Sequence, residues 1–270
     1  MEVLVLASGS SGNALLVRSP SGSILVDAGI SALQVRRRLE VFGLTPEMIS
    51  GVVVTHEHSD HARGLDVLCR RHHLPVWASP GTWSQLECRA DGGGELRPGR
   101  AIRIGGLSLM PVPTSHDARE PVALRVDDGR HRLAVCTDTG CVTALLEHRL
   151  AGCDLLLLEA NHDGDMLRHG PYPWPLKQRI ASRRGHLGNH QTAEAVARLG
   201  WDGLRAVVGL HLSEENNTPE LVREVLVQST GNGAQIGAVT RSEMLRVLLD
   251  RDRILLETRP VPQPPPRRRR

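Results

Sequence analysis

Aromatic side chains are almost absent from this 270-residue chain, which has one Phe, one Tyr and four Trp. Its core must therefore be built from Leu, Val, Ile and Ala. The 40% hydrophobic content suffices for one large domain or two small ones. Long apolar runs are missing too: no segment reaches the roughly 18 residues of a membrane span, which excludes a transmembrane helix. The apolar start, Met1 to Leu6, is too short for a signal peptide and carries no basic n-region. Cysteine pairs are also wanting, because the five at 69, 88, 136, 141 and 153 are odd in number and form no C-x-x-C. A disulfide framework is thereby excluded, and a soluble protein of the reducing cytoplasm is expected. Surplus charge is scarce: the formal +3 becomes −1 once Arg267 to Arg270 are set aside. The basic balance is thus a tail effect and weak evidence for nucleic acid.

What the chain does have is histidine, thirteen in all. Three of them fall in Val52-Val53-Val54-Thr55-His56-Glu57-His58-Ser59-Asp60-His61. The β-branched run reads as an interior strand that ends in a polar cluster of the form H-x-H-x-D-H. Imidazole nitrogen and carboxylate oxygen suit zinc, manganese or iron, and this many donors at this spacing can surround more than one ion.

The same arrangement recurs. Val112-Pro113-Thr114-Ser115-His116, Val135-Cys136-Thr137-Asp138 and Val207-Val208-Gly209-Leu210-His211 each end a strand on a ligand-type side chain. One such residue is weak evidence; four strand ends together make a constellation. Asp27, after the strand Ile24–Asp27, reads as a structural cap or as an orienter of a metal ligand. The loop Ser8–Asn13 reads equally as an anion-binding turn or a plain hairpin connection.

Further strands are expected at 3–6, 14–18, 75–78, 101–104, 107–112, 122–127, 131–137, 154–159, 235–240, 245–249 and 254–258. Helices are expected from a Ser31 cap to Phe42, over 64–71, after the Ser79-Pro80 cap, over 191–199 and over 218–228. Residues 91–94 read as a loop, and 160–190 shows no periodicity. No internal repeat is present. From Pro260 the Pro/Arg-rich stretch is expected to be disordered, giving one domain over 1–259 and a tail over 260–270.

The T-H-x-H-x-D-H run with later His, Asp and His residues resembles the metallo-β-lactamase superfamily. That resemblance implies an α/β fold, an αββα sandwich of two mixed β-sheets flanked by helices. Four stretches are similar to its YycJ/WalJ branch, relatives of RNase J and RNase Z: Leu6–Asn13, Leu25–Ser31, Leu158–Asp163 and His211–Asn217. The sequence departs from that branch at Gly188, where serine is expected, and at Ala14, where cysteine is common. The resemblance implies one ion held by His56, His58 and His116. A second is implied at Asp60, His61 and His211, with Asp138 between the two. Two such cations lower the pKa of a water between them and clamp the oxygens of a phosphodiester.

The implied activity is that of a metal-dependent 5′→3′ DNA exonuclease, with two divalent ions (zinc or manganese, iron also suited) and DNA ends as partner. Asp60, Asp138, His186 and His162 are the expected catalytic groups, the two histidines to donate a proton or hold a phosphate oxygen. Ser10, Asn13, Asn189 and Asn216 are the expected substrate contacts. The alternatives are a hydrolase of a small thioester, lactone or cyclic phosphodiester, and a metal-stabilised scaffold.

Overall fold

Alternating burial along the first strand sets the architecture. In a computed structural model, which describes residues 1–88, 90–230, 233–251 and 253–263, Val3 and Val5 of β1 (Glu2–Ala7) face one core while Leu4 and Leu6 face another. Such a strand is covered on both faces, as the two-residue period of side chains requires.

After β1 come β2 (Ala14–Ser19), β3 (Gly22–Val26), β4 (Gly51–Val54), β5 (Val76–Ala78) and β6 (Gly93–Glu95). Next are β7 (Ile102–Ile104), β8 (Leu107–Pro113), β9 (Val122–Asp127), β10 (Arg132–Cys136), β11 (Leu155–Glu159), β12 (Ala206–Leu210) and β13 (Gln235–Ala238). The last two strands are β14 (Glu243–Leu249) and β15 (Ile254–Pro260). One sheet has the order β15-β14-β1-β2-β3-β4-β5-β6 and the other β13-β12-β11-β10-β9-β8-β7. Both are mixed: β3 to β6 and β10 to β13 pair in parallel, and the remaining pairs are antiparallel.

Three apolar layers result. Val17, Ile24, Val53, Leu109, Leu124, Val135 and Leu157 meet between the sheets. Helices α1 (Ala32–Glu40), α2 (Ser59–Ala62), α3 (Leu65–His72) and α4 (Pro80–Trp83) lie in the first half of the chain, and α1 and α3 pack Val35, Leu39 and Leu68 onto the outer face of the first sheet. Of α5 (Ala144–Leu150), α6 (Gly164–His169), α7 (Trp174–Ile180), α8 (Asn189–Leu199) and α9 (Pro219–Ser229), three cover the second sheet through Leu146, Val196 and Leu226. This is the expected αββα sandwich, with an aliphatic core. Among the described residues no aromatic side chain is buried.

Most elements fall where the pattern puts them, including the Ser31, Ser79 and Thr218 caps. The helix expected to reach Phe42 ends at Glu40. Three differences come from short or exposed elements. Gly93–Glu95, inside a glycine run, is held as a strand by pairing with β5. Helices α6 and α7 occupy the stretch without periodicity, and α7 buries none of its residues, so no apolar stripe marks it. Pro260, where the disordered tail was expected to start, instead closes β15; residues 264–270 of that expected tail lie outside the described residues. No described helix is long and apolar enough to cross a membrane.

Candidate metal centre

The strand ends converge on one edge of the sandwich. The turn after β4 carries His56 and His58, helix α2 that follows it carries Asp60 and His61, and the loops after β8, β10 and β12 carry His116, Asp138 and His211. Asp27, Asp138 and His211 all have positive φ, at 61°, 54° and 56°. Non-glycine residues rarely adopt this region, so three cases at strand ends around one point mark backbone held out of its preferred state.

Three candidate ligand groups form among the described residues; two use the expected residues, and the third, Asp138, Glu159, His186 and His211, overlaps the second. In the first, His58 Nδ1 lies 3.1 Å from His56 Nε2 and 3.3 Å from His116 Nε2. Metal–nitrogen bonds of about 2.0–2.1 Å in a tetrahedron set ligand atoms roughly 3.3 Å apart, so this spacing fits a shared ion. In the second set, Asp60, His61, Asp138 and His211 bring one donor atom each within 4.8 Å of one another. Asp138 stands between the sets, with Oδ1 3.8 Å from His116 Nε2 and Oδ2 3.0 Å from His61 Nε2. Its Oδ2 is buried without a hydrogen bond. A buried carboxylate oxygen is costly in that state, and a cation relieves the cost.

Neighbours select the ligating nitrogen of three rings. His61 Nδ1 lies 2.7 Å from Asp27 Oδ2, His116 Nδ1 3.0 Å from the Gly185 carbonyl, and His211 Nδ1 3.0 Å from Glu159 Oε1. Each Nδ1–H donates to an oxygen, which leaves Nε2 as the metal-facing lone pair. Asp27 also accepts from the Thr55 N–H at 2.8 Å, so it is the orienter anticipated as one of its two readings.

Electrostatics divide the two sets. Burial, aided by the neighbouring imidazoles, holds His56 well below the usual histidine range, and burial likewise lowers His116. Burial also disfavours charge on His61 and His211, but carboxylates outweigh it. Asp138 and Asp27 lift His61 well above its ordinary value, and Asp138, Asp60 and Glu159 lift His211 to about 10. Burial would raise Glu159, yet His186 and His211 hold it down at about 2. His56 and His116 are therefore held toward the neutral form that binds an ion, whereas His61 and His211 must release protons.

Glu159 is the residue that sequence reasoning missed. It is fully buried at the end of β11. It accepts from the Thr139 and Leu187 N–H groups and lies 2.6 Å from His186 Nδ1. The signal was present, since Asp154–Glu159 is another apolar run ending on a carboxylate.

Of the other expected residues, His186 is at the centre, its Nδ1 held by Glu159 and its Nε2 left as the ring nitrogen free to meet a substrate. His186 and Ser10 line one cavity of about 190 Å³, together with Asp117, Tyr172 and Arg179. His162 is not brought there: it is 5% exposed, packs against Gly188, and belongs to none of the clusters. Asn13 is 6% exposed, and its Nδ2 lies 3.0 Å from His61 Nε2 and donates to the Asp60 carbonyl at 3.3 Å. It braces the ligand turn instead of facing substrate. Asn189 and Asn217 exchange two 2.8 Å amide bonds in the interior. Asn216 is fully buried and donates to Ser213 Oγ. The substrate contacts expected of Asn189 and Asn216 are therefore not met, because both side chains are packed inside the wall.

Comparison with known proteins agrees with this picture. The profile of the family described as "Beta-lactamase superfamily domain" matches residues 23–212. Exodeoxyribonuclease YycJ of Bacillus anthracis is 38% identical over 224 residues, covering 81% of this chain and 85% of that protein. Exodeoxyribonuclease WalJ of Streptococcus pneumoniae is 35% identical over 230 residues, covering 83% of this chain and 86% of the relative. The crystal structure of the metallo-β-lactamase fold protein YhfI from Bacillus subtilis superposes with a TM-score of 0.71 at 19% identity. It covers 90% of this chain and 98% of that one, a likeness of fold.

Proposed function

The chain belongs to the metallo-β-lactamase superfamily, in its YycJ/WalJ branch, and from that premise we propose that it is a metal-dependent nuclease that removes nucleotides from DNA, working from the 5′ end. The observation that carries the reading is Asp138, a buried carboxylate with one oxygen toward each of two ligand sets. The relatives at 35–38% identity, both exodeoxyribonucleases, supply the substrate class.

The donor sets fit two divalent ions, with zinc suited to the three-histidine set and zinc, manganese or iron to the mixed one. When bound, such ions activate water and neutralise charge developing on a phosphodiester. His56, His58 and His116 would hold one, and Asp60, His61 and His211 the other, with Asp138 available to both. The protein's own groups do the rest. Asp27, Glu159 and the Gly185 carbonyl fix the ring tautomers. Neutral imidazoles limit negative charge at the site, so an anionic phosphate can approach. His186 is held by Glu159, and Glu159 and Asp138 raise its pKa against the effect of burial, which favours the protonated ring. Its Nε2–H is set to stabilise a phosphate oxygen or to protonate the departing 3′-oxygen. A cytoplasmic location is part of this proposal, supported by five unpaired thiols.

The test compares reloaded protein on single-stranded DNA and on small thioesters and lactones across a salt series. DNA turnover is expected, with kcat/KM falling steeply as salt rises because phosphate contacts release counterions. Salt-independent turnover of a small ester with intact DNA would refute the reading.

A further inference from the structure

Tyr172 and Trp174 are two of only six aromatic residues and fall together in Pro171-Tyr172-Pro173-Trp174-Pro175; Tyr172 lines the same cavity as His186. The other four have tasks. Phe42, Trp77 and Trp83 pack against the cores, and Trp201 Nε1 donates to the Cys153 carbonyl. Trp174 is 66% exposed, and among the described residues its indole N–H and the Tyr172 hydroxyl have no hydrogen-bond partner. Trp174 is the most exposed of the four tryptophans.

The segment that carries them is anchored to the ligands. Tyr172, Leu176, Arg179 and Ile180 form one wall of the 190 Å³ cavity whose other wall includes His186 and Ser10. The Ile180 carbonyl accepts from the His186 N–H at 2.8 Å. Arg179 pairs with Asp117 at 2.7 Å, and the Arg184 guanidinium donates to the His116 carbonyl. A Cβ at Gly185 would strike the Arg179 and Ile180 carbonyls, so the end of α7 seats directly on the residue before His186. Arg183 is exposed, and its guanidinium has no partner among the described residues. A larger cavity of about 1080 Å³ also includes Ser213, and there Arg38, Arg63 and Arg241 are balanced by Glu214, Glu220 and Glu243. Charge therefore favours the α7 side for a polyanion.

We infer that residues 171–184 form a platform for single-stranded DNA: Tyr172 and Trp174 stack on bases of the strand entering the centre, and Arg183 receives a backbone phosphate. The inference rests on the nuclease reading and adds to it a preference for frayed or unpaired ends without sequence selectivity. Aromatic stacking suits this because every base has a π-face, and the exposed cation supplies the complementary charge.

The experiment measures affinity for a fluorescent oligo(dT) and kcat/KM on single-stranded DNA and on bis(p-nitrophenyl) phosphate. The proteins are wild type, Tyr172→Leu, Trp174→Ala, their Phe counterparts and Arg183→Gln. The Leu and Ala variants are expected to bind oligo(dT) roughly tenfold more weakly. Their DNA kcat/KM should fall far more than that for the small diester. Tyr172→Phe and Trp174→Phe should restore binding, and Arg183→Gln should reduce the salt slope by about one. Wild-type affinity in the Leu and Ala variants, with DNA still cut, overturns the platform and leaves the nuclease reading standing. A wild-type protein that cleaves the small diester but neither binds nor cuts DNA overturns both.

Discussion

His56, His61, Asp138 and His211 are at most 2% exposed and sit at strand ends, whereas Tyr172, Trp174 and Arg183 ride on a segment whose helix buries nothing. Tyr172 of the one and His186, beside the other, line a common cavity, yet the two regions are held differently. The ligands are fixed by sheet pairing, by left-handed turns at Asp138 and His211, and by carboxylates behind their rings. The 171–184 segment is held from its far side by Arg179, Arg184 and the Ile180 carbonyl. The contrast divides the labour: buried strand ends determine the chemistry, and the exposed segment determines what is brought to it. Exposure lets a side chain meet a substrate, and burial keeps a donor atom where an ion requires it.

The largest expected effect breaks the buried half. Asp138→Asn keeps the shape but removes the shared charge, and DNA hydrolysis should fall on the order of a thousandfold or more. Metal analysis should show fewer ions per chain than in wild type. Full metal content with full activity would dissolve the distinction between the regions. Glu159→Gln acts one step further out, leaving every ligand in place but weakening the grip on His211 and His186. Metal affinity or turnover should drop about 10- to 100-fold, read by chelator competition alongside kinetics.

A pH series sharpens the comparison within the centre. His211 is raised to about 10, so without metal its stabilising contribution is complete below the ordinary histidine pKa of about 6.5 and is lost as pH climbs through 10. Glu159 is depressed to about 2, so its contribution is complete above about 4.3 and is lost as pH falls through 2. Urea midpoints in chelator should therefore peak near about pH 6.5: above it the raised His61 and His211 lose their stabilising protons, and below it the unfolded chain protonates histidines that burial keeps neutral at His56 and His116. Because the His61 and His211 protons must leave before an ion binds, the second set should load more tightly as pH rises, and His56 with His116 should load at lower pH. Equal pH dependence of both binding steps would count against the division.

The smallest effect concerns Gly188, the cap of α8, which has ordinary backbone angles. Gly188→Ser adds a capping hydroxyl and should change stability by only a few tenths of a kcal/mol. The new Cβ comes 3.1 Å from His162 Nε2, so a small shift there offsets part of the gain. Thermal midpoints and DNA turnover close to wild type are expected, since Gly188 supports the wall and touches no ligand.

Legibility follows the same division. The sandwich and the gathering of the seven expected ligand residues were legible through the family resemblance together with apolar strands that end on His or Asp, and the structure brings His56, His58, Asp60, His61, His116, Asp138 and His211 into two sets. Glu159 escaped because one carboxylate closing Leu155–Leu158 looks like any strand end; only its three-dimensional neighbours, His186 and His211, reveal it. Asn189 and Asn216 misled for the opposite reason. Their place beside His186 and His211 in sequence suggested substrate, but whether an amide faces a cavity or a partner such as Asn217 is decided by packing. Helices α6 and α7 carry no periodicity because they have too little buried face to impose one.

The most direct test of the account is digestion of duplexes labelled at the 5′ or the 3′ end by chelated protein reloaded with Mn²⁺ or Zn²⁺, beside the Asp138→Asn variant. The account predicts immediate release of the 5′ label as a mononucleotide and gradual shortening of the 3′-labelled strand, with neither in the variant. Intact DNA with every ion, or equal cleavage by Asp138→Asn, would contradict it.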